Sequence, residues 1–237
     1  MVAWAHGTVG LSDQCAPSVQ KRSRYEDDYL DHWLRQGYAV VATDYAGLGT
    51  PGVMNYLSGQ VQARSVIDSV LSAHDAGLPL AKKWAVVGQS QGAAAALHTA
   101  RRATQLTRGT GLDFRGVVAT GAPANIEHII WQAGPGFPSF PLPGGLTSYA
   151  AFILAGFNEA RPDLNVTKLL TPAGKRALRQ AQTLCNAEIK QVLRGETTGD
   201  WFVRPVRSVP GAEAALVDYM ATPYSGYDRP IFLGQGL

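Results

Sequence analysis

The sequence is short of several things that would narrow its function at once. No apolar run approaches the ~20 residues that a helix needs to cross a bilayer, so no stable membrane insertion is expected. Met1 is followed at once by "VAWAHG", which reads as a buried strand rather than a leader, so no signal peptide is visible in the chain. Charge of one sign is scarce: 21 basic against 18 acidic residues leave a net +3. The densest basic spots, residues 21–24 and 101–108, are short and carry no interleaved aromatics, which argues against nucleic acid. They read as solvated helix ends, with an anionic partner surface as the alternative. Cysteine is nearly absent. Cys15 and Cys185 are too far apart for any metal-ligand spacing, so no metal is expected. Either they are two buried free thiols, or they close a disulfide across that long loop, which would need an oxidising compartment. There are no internal repeats, and no low-complexity tract beyond four alanines at 93–96.

What is present reads as an α/β protein. The segments 2–6, 38–45, 84–88, 116–122 and 230–236 are short apolar runs without period-2 alternation, as expected of strands covered on both faces. Helical patterns lie between the first four. Residues 25–36 place Tyr25, Tyr29, Leu30, Trp33 and Leu34 on one face. Residues 61–77 group Val61, Val66, Val70 and Leu71, with Gly77 as a stop, and the alanine-rich 91–103 is a strong helix former. Strand–helix alternation at this spacing implies right-handed crossovers and a mostly parallel sheet. From Pro123 to about Pro210 the rhythm is lost. A Pro/Gly/aromatic loop over 131–145 is followed by helical stretches at 146–160 and 172–195. Alternation resumes with a helix over 211–220 and the last strand. The expected division is a core over 1–122, an inserted helical cap or lid over 123–210, and a continuation of the core over 211–237.

The chemistry centres on Gly88-Gln89-Ser90-Gln91-Gly92, a G-x-S-x-G match with a buried strand running in and a helix running out. That context is a nucleophile elbow, which holds a serine in a strained turn at the end of a sheet. The glycines are needed because backbone must pass close on either side. Without that context the motif would be only a Ser/Gly turn. The loop "HGTVG" (6–10) follows the first strand and in such a sheet lies beside the elbow. It would offer the Thr8 N–H as one oxyanion donor, with the Gln91 N–H as the other. His6 reads as a structural histidine that bonds this loop. A G-x-G-x-x-G match at 47–52 follows a strand, but Pro51 interrupts it and no acid sits at the tip of the next strand, so it reads as a turn near the site entrance, not a dinucleotide site. Asn165-Val166-Thr167 is a glycosylation sequon that matters only in a secreted protein of a glycosylating host.

The blocks "WAHGTVGLSDQCAPS", "ATDYAGLGTPG", "VVGQSQGAAAALHTA" and "GVVATGAPA" together resemble the secretory lipase group of the α/β-hydrolase superfamily. The likeness runs from residue 2 to about 125 and resumes at 229–236; the middle third is matched only as the place where that group has its helical cap. The resemblance implies an α/β-hydrolase fold, with helices on both faces of the sheet and an inserted cap. It implies a carboxylic ester hydrolase using a Ser–Asp–His triad, no metal and no cofactor, acting on small-molecule or lipid esters in a secreted or periplasmic setting. It places the nucleophile at Ser90 and oxyanion donors at Gln91 and near Thr8, and it favours a disulfide between Cys15 and Cys185. Apolar cap residues, among them Phe137, Phe140, Tyr149, Phe152, Ile153 and Leu154, would supply an acyl site or form the cap's own core.

The triad in this fold runs Ser, then acid, then His. The acid should follow the strand that ends "FLGQG", and no histidine follows His128. His98 lies two turns down the helix that leaves the elbow, His32 and His74 fall on outer helices, and His128 opens the cap. The resemblance therefore implies a piece of a longer hydrolase, with the triad Asp and His expected beyond residue 237. A catalytically inactive binding or scaffold protein on the same fold is the alternative reading. Oligomeric state and acyl-chain length are not encoded in any motif.

Overall fold

The computed structural model describes residues 1–236. Its five strands are β1 (Val2–Ala5), β2 (Val40–Ala42), β3 (Lys83–Gln89), β4 (Asp113–Thr120) and β5 (Ile231–Gly234), in the order β2-β1-β3-β4-β5. Every neighbouring pair is parallel. The first three crossovers carry α1 (Arg24–Arg35), α2 (Gly59–Asp75) and α3 (Gln91–Leu106). β1 and β3 lie side by side, with Ala5 opposite Gly88, so the loop leaving β1 and the turn leaving β3 emerge together. This is the arrangement that positions the site.

The expected elements are found, with corrections that have physical causes. The run 38–45 forms only three residues of strand, and Tyr45, three residues past its end, turns to positive φ. The central strands are buried, but the outer two are not covered on both faces. β5 has one neighbour, β4, and leaves Phe232 and Leu233 61% and 63% exposed. In α1, Ser23 and Glu26 form a capping box. Of the five residues expected to form its apolar face, only Leu30 is buried, and Tyr25 is 88% exposed. The helix rests on the short edge strand β2, which offers little surface to cover it. The buried side of α2 is Ala63, Val66, Ile67 and Val70, together with Gln62, so the stripe lies slightly round from the expected one. The basic stretch 21–24 is exposed and runs into the N-terminal end of α1, where Arg24 is the first helical residue.

Between β4 and α8 (Ala212–Met220) the chain forms α4 (Ile126–Gln132), α5 (Leu146–Ala160), α6 (Pro172–Thr183) and α7 (Asn186–Val192), with several short 3-10 turns. The helical stretch expected over 172–195 is broken at Leu184 and Cys185, whose backbones are extended. The break has a tertiary cause. Cys185 is bonded to Cys15 with Cα atoms 5.5 Å apart, and it forms an antiparallel bridge with Gly10. The disulfide favoured by the family likeness is thus present. Restarting after the break, α7 uses the Glu188 side chain, which accepts from the Cys185 N–H at 2.9 Å.

Candidate active site

Ser90 caps α3 in a conformation that a non-glycine residue seldom adopts, φ 57° and ψ −121°. The turn is held because the Ser90 N–H donates to the Thr120 carbonyl at 2.9 Å, which ties the elbow to the end of β4. A Cβ on Gly88 would lie 2.0 Å from the Gly92 oxygen, and a Cβ on Gly92 would lie 1.9 Å from the Ala5 oxygen. Side chains at either position would force β1, β3 and α3 apart. The alanines after Gly92 are fully or nearly fully buried, so the start of α3 lies tight against the sheet.

Ser90 is half-buried and lines a cleft of about 500 Å³. Thr8, Gln89, Tyr149, Asn186 and the Cys15–Cys185 bridge contribute to its walls. Lys21 and Arg22 also line this cleft, and Arg22 pairs with Asp27 at 3.3 Å. The Gln91 side chain points into the core, where its Nε2 meets the Met54 sulfur at 3.7 Å, so only its backbone can serve the cleft. Gln20, Ser23, Tyr25 and Glu26 complete the polar lining, and no metal-binding cluster of three or more His, Cys, Asp or Glu occurs among the described residues.

Thr8 is held from three directions. His6 Nδ1 lies 2.7 Å from the Gly7 carbonyl, which fixes the Gly7–Thr8 peptide plane and hence the direction of the Thr8 N–H. Asn186 Nδ2 donates to the Thr8 carbonyl at 3.1 Å. The Thr8 hydroxyl and the Tyr56 hydroxyl are 2.7 Å apart. Tyr219 in turn donates to the Tyr56 carbonyl at 2.7 Å. His6 is fully buried, and burial lowers its pKa despite the backbone carbonyls of Gly7 and Asp44 facing its ring. It is a neutral structural ring, as its place beside the loop suggests.

None of the other histidines reaches Ser90's cleft. No histidine lines it among the described residues. His128 is exposed, 3.7 Å from the buried Glu127. His98 packs against α2, where a Cβ on Gly59 would lie 2.1 Å from the imidazole. Burial, aided by Arg102 and Arg101, lowers the His98 pKa to about 4. An unfolded histidine titrates near 6.5, so the unfolded chain binds the extra proton first as pH falls. The folded state should therefore lose on the order of 3 kcal/mol between pH 6.5 and 4 through this one residue, with full stability above that window. Urea denaturation across pH 4–7 measures it: His98→Gln should flatten the slope, and an unchanged slope would show that His98 does not govern it.

The cap residues expected at an acyl site divide. Phe137, Phe140, Ile153 and Leu154 line a second cavity of about 250 Å³ whose walls are apolar apart from Thr198. Tyr149 belongs to the Ser90 cleft, with the Lys190 ammonium 5.0 Å from its ring centroid. Phe152 is fully buried against Tyr56, at 5.5 Å between centroids. The 47–52 segment is a turn whose Gly49 N–H donates to Asp13 at 2.8 Å. Sequence reasoning missed Asn186 and Tyr56 as neighbours of the loop; nothing in their local sequence marks them.

Among solved structures, the rice cell wall degrading esterase LipA from Xanthomonas oryzae superposes with a TM-score of 0.74 at 16% identity, covering 99% of this chain and 65% of that one. Candida antarctica lipase A gives 0.73 at 18% identity, covering 98% of this chain and 57% of that one. No curated protein matches the sequence. The shared feature is the α/β-hydrolase fold, and the chain spans less than two thirds of the length of either structure. The family model described as Secretory lipase matches residues 18–205, well over half of the chain and including the middle third that carries no motif. The chain belongs to the Secretory lipase family.

Proposed function

We propose that this chain carries the nucleophile and oxyanion hole of a carboxylic ester hydrolase. The observation that carries the reading is Ser90 at positive φ between a parallel strand and a sixteen-residue helix, opening on a cleft. In this reading Ser90 Oγ attacks the ester carbonyl as its proton passes to a base. The oxyanion is held by the Thr8 and Gln91 N–H groups and the positive end of α3. Collapse expels the alcohol, and water then releases the acid from Ser90. Residues 123–210 act as a helical cap, and the apolar cavity within it suits an acyl chain. No metal or cofactor enters the scheme. No histidine lines the cleft among the described residues, and the scheme assigns the base and its orienting acid to no residue of that lining. The family's name and the Cys15–Cys185 bridge favour an oxidising, exported setting, secreted or periplasmic.

A hydroxyl without a base is a poor nucleophile at neutral pH, so imidazole in the buffer should supply one. Hydrolysis of p-nitrophenyl acetate by the chain should rise with imidazole above the reaction of imidazole alone, and Ser90→Ala should remove that excess. An excess that survives Ser90→Ala would place the chemistry elsewhere. No excess at all would favour a binding or scaffold role for the fold.

A further inference from the structure

The geometry points to Asn186, the first residue of α7, as a positioning residue for the oxyanion loop. This rests on the ester-hydrolase reading above. Asn186 grips two consecutive carbonyls of that loop: its backbone N–H donates to Val9 at 2.8 Å and its side-chain Nδ2 to Thr8 at 3.1 Å. His6 holds the carbonyl before them, that of Gly7. The two peptide planes flanking the Thr8 Cα are therefore each tied to a partner, one to β1's end and one to α7. With both planes fixed, the φ and ψ of Thr8 are fixed, and so is the aim of its N–H. No protein acceptor for that N–H is found among the described residues, which leaves it free for a ligand oxygen.

Three further observations separate this role from simple packing. The Asn186 residue lines the same cleft as Ser90 and Thr8. The amide's orientation is unambiguous, since a flipped Oδ1 would face the Thr8 carbonyl. Its Oδ1 is buried with no partner among the described residues, and an unpaired buried acceptor works against stability. A side chain kept in that condition contributes little to holding the fold, and its useful bond is the one to Thr8. The disulfide beside it and the Gly10–Cys185 bridge already join α7 to the loop, so removing the amide leaves the join intact.

The test uses Asn186→Ala and Asn186→Asp in the full chain. The first removes the donor, and the second sets a carboxylate oxygen against the Thr8 carbonyl. Both keep the backbone bond to Val9. Acylation is followed with p-nitrophenyl acetate and imidazole, after subtracting the rate of Ser90→Ala. A preorganised oxyanion donor is worth roughly 10²–10³ in rate, and a misplacement of about 1 Å can cost roughly 10². Both variants should therefore slow acylation on the order of ten- to a hundredfold, in kcat and not in KM, with no free thiol, and Asn186→Ala should keep the parent's Tm. Variants that acylate at the parent's rate would overturn the inference while leaving the function standing. So would a fall in the Tm of Asn186→Ala that parallels its loss of rate. If the parent itself shows no Ser90-dependent acylation, the function reading fails, and this inference fails with it.

Discussion

Gly92→Ala is expected to unfold the elbow. The added Cβ would sit 1.9 Å from the Ala5 oxygen and 2.8 Å from the His6 oxygen, both of them backbone atoms that cannot swing aside. To admit it, α3 must lift from the sheet or β1 must move away from β3, which breaks close packing around the buried alanines 93–96. Overpacked cores lose about 1–3 kcal/mol where side chains can adjust, and a backbone clash allows no such adjustment, so a loss of roughly 3 kcal/mol or more is expected. That is a large share of the ~5–15 kcal/mol that holds an ordinary domain together. Gly37→Ala is the control. Unlike Gly92, Gly37 sits at positive φ, 82°, and a Cβ there meets nothing within 4 Å. Its cost should be the left-handed penalty alone, ~1–2 kcal/mol. Urea melts of the two variants separate steric from conformational cost; equal losses would mean that the approach of α3 to β1 is looser than the structure has it.

The second large effect is expected from the disulfide. It joins residues 170 apart in sequence, so it removes much of the unfolded chain's freedom. The chain-entropy relation puts such a loop near 5 kcal/mol, and removal of native bridges typically costs about 2–5 kcal/mol. Replacing Cys15 and Cys185 together with alanine should lower stability by an amount in that range. It should also loosen the 6–10 loop, because Gly10 packs against this bridge: a Cβ on Gly10 would lie 2.9 Å from the Cys15 sulfur. Hydrogen exchange of the 6–15 peptide and a urea melt, each with and without reductant, check both parts. Unchanged exchange with lowered stability would mean that the bridge secures the chain without ordering the loop.

Much of this site was legible because its chemistry is local. Gly88, Ser90 and Gly92 announce a tight turn, the apolar run before them a strand, and the alanines after them a helix. The parallel order follows from the alternation of such segments. What failed to show was set by distant contacts. The α6–α7 break at Leu184 has no proline or glycine to mark it; it exists because Cys185 is tied to Cys15 and Gly10. The pairing itself came from family likeness, since spacing alone left free thiols equally open. The periodicity of α1 correctly marked a helix but not its burial, which depends on how much surface β2 offers. The short α4 was lost among the Pro- and Gly-rich residues around it. Asn186 carries no signal because its partners, Thr8 and Val9, are brought to it only by the fold.

The proposal stands or falls on Ser90 being a nucleophile with a preformed elbow and oxyanion donors, for which added imidazole can serve as base. The most direct measurement is peptide mass spectrometry after treatment with a fluorophosphonate probe, with and without imidazole. The account predicts a single phosphonyl adduct on Ser90, accelerated by imidazole and absent from Ser90→Ala. An adduct on another residue, or no adduct on Ser90 under either condition, would contradict it.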